Sequence, residues 1–188
     1  LSYRKSESEG TADYFLVQVR REVNEILDNI ASSSDRRWDP DKDGLIITTT
    51  LNLSLQNFAR QSFAAHLANM QKHLRDQYSS PAGKRKLSEI TEAILDDKNL
   101  SHRADEKNRQ VNFDWKGSYS DSVSVRDSIR RALTTLHAGL LAIDPQSGAV
   151  RAWVGGIDFI TQPFDQILAK RQLGSVFKPI LYALAFEE

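Results

Sequence analysis

The sequence predicts a mixed α+β fold in which a small antiparallel β-sheet carries helices packed against it. Three patterns carry that prediction. Gly139 to Val154 reads as two strand-like runs joined by the turn residues Pro145-Gln146-Ser147-Gly148, the pattern of a β-hairpin. Apolar residues recur at helical spacing from Asp13 to Ile30 and again from Leu55 to Leu74. Leu45 to Thr50 is a β-branched run that reads as a strand feeding the second of those helices.

Taken in order, Leu1 to Gly10 is polar and charged without periodicity, which makes residues 1–12 a linker ahead of the folded part. Phe15, Leu16, Val19, Val23, Ile26, Leu27 and Ile30 then form the apolar face of the first helix, which the polar stretch Ser32 to Asp43 ends. After the strand, Asn52 is placed to cap a helix whose face is Leu55, Phe58, Ala59, Phe63, Leu67, Met70 and Leu74. Tyr78 to Arg109 is rich in Ser, Lys, Asp and Asn around Leu87, Ile90, Ile94 and Leu95, so it reads as a surface excursion with one helix. Val111 to Trp115 reads as a short strand. Ser124 with Asp127 resembles a capping box, opening a helix expected to run to about His137. Beyond the hairpin, Gly155-Gly156 gives the backbone freedom at the strand's exit and a polar loop runs to about Gln172. Gly174-Ser175 then opens a last helix carrying Ile180, Leu181, Leu184 and Phe186. Leu1 and Glu188 both read as cut ends, so the chain is expected to be a piece of a longer protein.

Charge and composition exclude several functions. Among 188 residues, 25 Lys and Arg balance 25 Asp and Glu, so the strong basic field that non-specific nucleic-acid binding requires is missing. With no cysteine there is no disulfide framework, zinc–thiolate site or cysteine nucleophile. No apolar run approaches the roughly 20 residues that span a bilayer, which puts any membrane attachment in a segment outside this chain.

Chemistry concentrates at Ser175-Val176-Phe177-Lys178. A serine and a lysine three apart at a helix start share one face of the first turn. A serine hydroxyl is a poor nucleophile until a base takes its proton, and a lysine can be that base when its surroundings lower its pKa. Unpaired N–H groups at the helix start are placed to stabilise an oxyanion. The spacing is weak evidence alone, since Ser2-Tyr3-Arg4-Lys5 repeats it in the polar lead-in. His66 and His73 lie two helical turns apart but have no third ligand at metal-binding spacing, so no metal is assigned and they read as surface residues. His102 and His137 stand alone. Trp38, Trp115 and Trp153 are scattered along the chain and read as core and hairpin packing rather than a sugar-stacking platform.

Two long ordered segments, Gly139-Leu140-Leu141-Ala142-Ile143-Asp144 through Val154-Gly155-Gly156 and Lys170-Arg171-Gln172-Leu173-Gly174-Ser175-Val176-Phe177-Lys178-Pro179, resemble the transpeptidase domain of class A penicillin-binding proteins. Upstream, Tyr14-Phe15 with its helix, Gly44 to Asn52 and Gln56 resemble the connector that joins the glycosyltransferase and transpeptidase domains of those bifunctional enzymes. The resemblance implies a β-lactamase-like transpeptidase fold of which residues 139–188 are the first part. Residues 13–138 would be the connector with a helical excursion. It implies Ser175 as the acylated serine and Lys178 as the acceptor of its proton. The substrate would be the D-alanyl-D-alanine end of a peptidoglycan stem peptide, with β-lactams acylating the same serine and no cofactor needed. It also implies a place at the outer face of the bacterial cytoplasmic membrane, with cell-envelope proteins as possible partners. The family's further motifs, Ser-x-Asn and Lys-Thr-Gly or Lys-Ser-Gly, are not in the chain, and Ser120-Asp121-Ser122 does not substitute for the first. The chain alone is therefore expected to be inactive. Two other readings remain, a non-catalytic penicillin-binding-like sensor and an interaction module built on the helices at Asp13–Ile30 and Leu53–Leu74.

Overall fold

The structure is a computed structural model that describes residues 10, 12–33, 36–115 and 117–187. Apart from Gly10 and Ala12, the linker expected at residues 1–12 lies outside the described residues, as does the second Ser-x-x-Lys match at Ser2 to Lys5. The elements are α1 (Asp13–Ala31), α2 (Leu53–Ser79), α3 (Pro81–Asp97), β1 (Lys107–Asp114), β2 (Gly117–Ser124), α4 (Val125–Thr134), β3 (Leu140–Ile143), β4 (Val150–Val154) and α5 (Lys178–Glu187), with short 3₁₀ turns at Ser101–Arg103 and Ser175–Phe177. The mixed helix and antiparallel-strand content agrees with an α+β fold. The strands, however, form two separate antiparallel pairs, β1–β2 and β3–β4, rather than one sheet.

The apolar core sits where α2 crosses the β3–β4 hairpin. Ala59, Ala152 and Val154 are buried there, with Phe63, Leu140 and Ala142 packed around them. Small residues at Ala59 and Ala152 let helix and strand approach closely. The turn between the strands is closed by Asp144 and Gly148, and Gly148 takes a positive φ of 71° that a side chain would disfavour. α1 lays Phe15 against Trp153, with ring centroids 6.4 Å apart. Of the rest of its apolar stripe, Leu16, Ile26 and Ile30 are exposed and Val19, Val23 and Leu27 are half-buried.

The run Leu45–Thr50 does not become a strand. It lies beside β4, with the Thr50 hydroxyl donating to the Val150 carbonyl at 2.8 Å, but forms no ladder. The groups a strand would have used are already taken. The Asn52 N–H donates to the Arg151 carbonyl at 2.9 Å. The Gln56 side chain accepts from the Trp153 N–H at 2.7 Å and donates to the Trp153 carbonyl at 2.9 Å. One side-chain amide thus replaces a neighbouring strand at the β4 edge, and Gln56 is almost fully buried in doing so.

Both expected caps form. Asn52 Oδ1 accepts from the Leu55 N–H at 2.9 Å, and Ser124 Oγ accepts from the Asp127 N–H at 3.1 Å. Ser80 ends α2 and caps α3 with Pro81 in the first turn, so the two helices meet at a sharp corner. α3 is more than a surface excursion, because it packs on α2 and α4 and buries Thr91 and Leu95 completely. α4 stops at Thr134, short of His137, where Gln71 of α2 binds the chain as it leaves the helix. Gln71 donates to the Thr134 carbonyl at 2.6 Å and accepts from the Leu136 N–H at 2.9 Å. Among the described residues no helix is long and apolar enough to cross a membrane.

Candidate active site

The path to Ser175 begins at the end of β4. Gly155 and Gly156 have no positive φ, so backbone freedom is not their role. The Tyr14 ring lies against them, and a Cβ on Gly155 would come 2.6 Å from its Cγ. Tyr14 is buried, donates its hydroxyl proton to the Gln162 carbonyl at 2.6 Å and meets Phe159 edge-on at 5.0 Å. Burial, with the charges of Asp158, Asp165 and Asp13 adding to it, pushes its phenol far above the usual range. Tyr14 is therefore a fixed neutral donor that pins the loop after β4 to α1.

Asp165 organises the next stretch by accepting from Trp153 Nε1 at 2.8 Å and from the Ile167 N–H at 2.9 Å. The Gln166 N–H donates to the Gly155 carbonyl at 2.7 Å, and Arg171 donates to the Gln166 side chain. Beyond Arg171 the character changes, and every residue from 171 to 187 is exposed.

Gly174, rather than Ser175, takes the cap position of the 3₁₀ turn. The Phe177 N–H donates to the Gly174 carbonyl at 3.1 Å, and the Lys178 N–H bonds the Ser175 carbonyl. Residues three apart eclipse one another in a 3₁₀ turn, so Ser175 and Lys178 share one side. Both line an open groove of about 490 Å³ with Leu173, Gly174, Phe177 and Leu181. Among the described residues, neither Ser175 Oγ nor Lys178 Nζ has a hydrogen-bond or ion-pair partner. The groove thus places a hydroxyl and an amine against an apolar wall, the two groups that a serine acyl transfer needs.

Among the described residues this last helix does not pack on the β3–β4 hairpin. Ile180, Leu181, Leu184 and Phe186 of α5 are all exposed, and the helix's principal contact is with its own leading turn. The hairpin's inner face is occupied by α2 instead.

The other sequence candidates stay apart. His66, His73 and His102 are exposed, and no group of three or more metal-ligating side chains occurs among the described residues. Trp153 is part of the hairpin packing, whereas Trp38 carries the Arg36 guanidinium 3.5 Å above its ring. His137 does not stand alone. Burial and the nearby Arg171 charge hold its imidazole below the usual range, so it favours the neutral form beside the segment leading to Ser175. Only tertiary structure joins residues this far apart in the chain.

No family model matches the chain. No solved structure matches it either. Curated relatives do. Penicillin-binding protein 1A of Rickettsia typhi is 26% identical over 223 aligned positions that cover 100% of this chain and 28% of the relative. Penicillin-binding protein 1A of Neisseria cinerea is 33% identical over 113 positions, covering 57% of this chain and 13% of the relative. Penicillin-binding protein 1A of Neisseria gonorrhoeae is 44% identical over 54 positions, 28% of this chain and 7% of the relative. The chain is thus similar to penicillin-binding proteins along its whole length, and it spans about a quarter of the length of the relatives it matches end to end.

Proposed function

We propose that the chain is part of a bacterial peptidoglycan synthase that cross-links stem peptides through an acyl-enzyme on Ser175. Residues 139–188 begin the transpeptidase domain, and residues 13–138 connect it to a glycosyltransferase domain. The reading rests on the placing of Ser175 and Lys178 along one groove, in a chain similar to penicillin-binding protein 1A. Ser175 Oγ attacks the carbonyl carbon between the two terminal D-alanines as Lys178 Nζ accepts the hydroxyl proton. The tetrahedral intermediate collapses, the C–N bond breaks, and the terminal D-alanine leaves with a proton returned to its amine. The amine of a second stem peptide then attacks the ester, releasing Ser175 and forming the cross-link. A β-lactam presents its strained amide to the same hydroxyl and stays attached. The protein acts at the outer face of the cytoplasmic membrane, held there by a segment outside this chain. The isolated chain is expected to acylate very slowly or not at all, since catalytic groups that act as a unit lose most activity when any is missing.

The test is intact-mass spectrometry of the full-length protein after incubation with a β-lactam, beside a Ser175→Ala variant. One adduct that vanishes in the variant is the expected result. A folded full-length protein with no adduct refutes the reading and leaves an interaction module.

A further inference from the structure

A second cleft, remote in sequence from Ser175, opens between the β1–β2 hairpin, α4 and the C-terminal half of α2, with a volume of about 400 Å³. Its wall is assembled from separate parts of the chain. Gln71 clamps α2 to the end of α4 and is itself buried, and Arg75 follows one helical turn later on the same face. Gln110 and Asn112 alternate onto one side of β1, and Tyr119 of β2 lies opposite Asn112 in the strand register. Gln110 Nε2 donates to Asn112 Oδ1 at 2.9 Å and to Ser128 Oγ of α4 at 3.3 Å, which ties hairpin and helix together. The cleft is held in shape from three sides.

Its donors are not all used. Arg131 Nη1 donates to the Tyr119 hydroxyl at 3.3 Å and Nη2 meets Asp121 at 3.5 Å, both long for a guanidinium. The Arg75 guanidinium has no hydrogen-bond or ion-pair partner among the described residues. Asn112 is only 9% exposed, yet its Nδ2 reaches only the Gln110 carbonyl, at 3.5 Å. A buried amide without a good acceptor is costly unless something else supplies one. Of the two guanidinium groups in the wall, Arg131 already faces Asp121, which leaves Arg75 as the one without a partner among the described residues.

We propose that this cleft binds the terminal carboxylate of a short peptide, with Arg75 and Arg131 holding the carboxylate and Asn112 donating a further hydrogen bond. Guanidinium groups match the planar, two-oxygen geometry of a carboxylate. Behind it, Gln110 Oε1 takes one long bond from the Ser128 hydroxyl at 3.3 Å and can accept a second from a peptide N–H. One guanidinium without a carboxylate partner fits a single negative charge better than a phosphate dianion. The volume falls in the range of small-ligand sites. The inference is independent of the chemistry proposed at Ser175.

The test titrates the ¹⁵N-labelled chain with N-acetyl-dialanine, its C-terminal amide and inorganic phosphate. The free acid should give saturable shifts in the Asn112 and Gln110 side-chain amides, and the neutral amide should bind at least about tenfold more weakly. Arg75→Gln, with its spectral dispersion retained, should lose about tenfold in affinity. Arg85→Gln on the exposed face of α3 should lose none. Shifts that do not saturate, equal binding of acid and amide, an undiminished Arg75→Gln, or tighter binding of phosphate would each overturn the assignment.

Discussion

Replacing Gln56 by leucine isolates the contact that joins α2 to β4. The substitution keeps roughly the same volume and helix propensity, yet removes both the acceptor for the Trp153 N–H and the donor for its carbonyl. Gln56 is 1% exposed, so the new side chain seals the site more readily than water can enter it. Leaving a buried polar group unmet costs about 1–3 kcal/mol. Two such groups, partly relieved because Trp153 is only half-buried, should cost about 2–4 kcal/mol. That is a large part of the roughly 5–15 kcal/mol by which a domain is stable. Urea unfolding followed by tryptophan fluorescence reads the effect, and with a slope of about 2 kcal/mol per molar the midpoint should fall by about 1–2 M. The control is Gln77→Leu on the same helix, where the side chain is exposed and the change should stay below about 0.5 kcal/mol. A Gln56→Leu midpoint within about 0.3 M of the original would refute the view that this amide substitutes for a strand.

Two further outcomes follow from local geometry. Gly83→Ala would ordinarily stabilise a helix by about 1 kcal/mol. Here the added Cβ would lie 2.8 Å from the Tyr78 Cα and closer still to the Gln77 carbonyl, so the sign should reverse to a loss of about 1–3 kcal/mol in thermal or urea unfolding, and a gain would show that the α2–α3 corner yields easily. Hydrogen bonds from the Gln146 N–H, Ser147 and Arg151 pull the Asp144 carboxyl down to about 2 from an ordinary 3.8. A carboxylate depressed on folding stabilises above its unfolded pKa and loses that contribution as pH falls through the folded one. The advantage over Asp144→Asn should therefore be whole above about pH 4 and fade toward pH 2, and a carbon-13 titration of the carboxyl centred near 3.8 would contradict it.

The parts of the fold legible in sequence are those fixed by neighbours a few residues apart. Asn52 and Ser124 announce their helices because a cap is a local bond. The Asp144–Gly148 turn announces its hairpin for the same reason. β2 was not legible, because Gly117-Ser118-Tyr119-Ser120-Asp121-Ser122 has no apolar alternation and is held as a strand only by pairing with β1. Leu45–Thr50 misled in the opposite sense, since its strand propensity lost to the Asn52 and Gln56 groups already bonded at the β4 edge. By residue type and spacing Gln56 and Gln71 are ordinary polar helix residues, because the backbone groups they satisfy lie 97 and 63 residues away in sequence, respectively. At the candidate site the Ser175–Lys178 spacing was readable, while the full exposure of α5 was not, because apolar residues in a sequence predict burial without saying by what.

α2 runs for 27 residues without a glycine or proline, a length of about 40 Å. Gln56 grips the β4 edge near one end and Gln71 grips the exit of α4 nearer the other. The helix therefore works as a beam with two bolts. The separation between the β4 edge and the exit of α4 is set by about four turns of one helix, with no loop between the two clamps to change it.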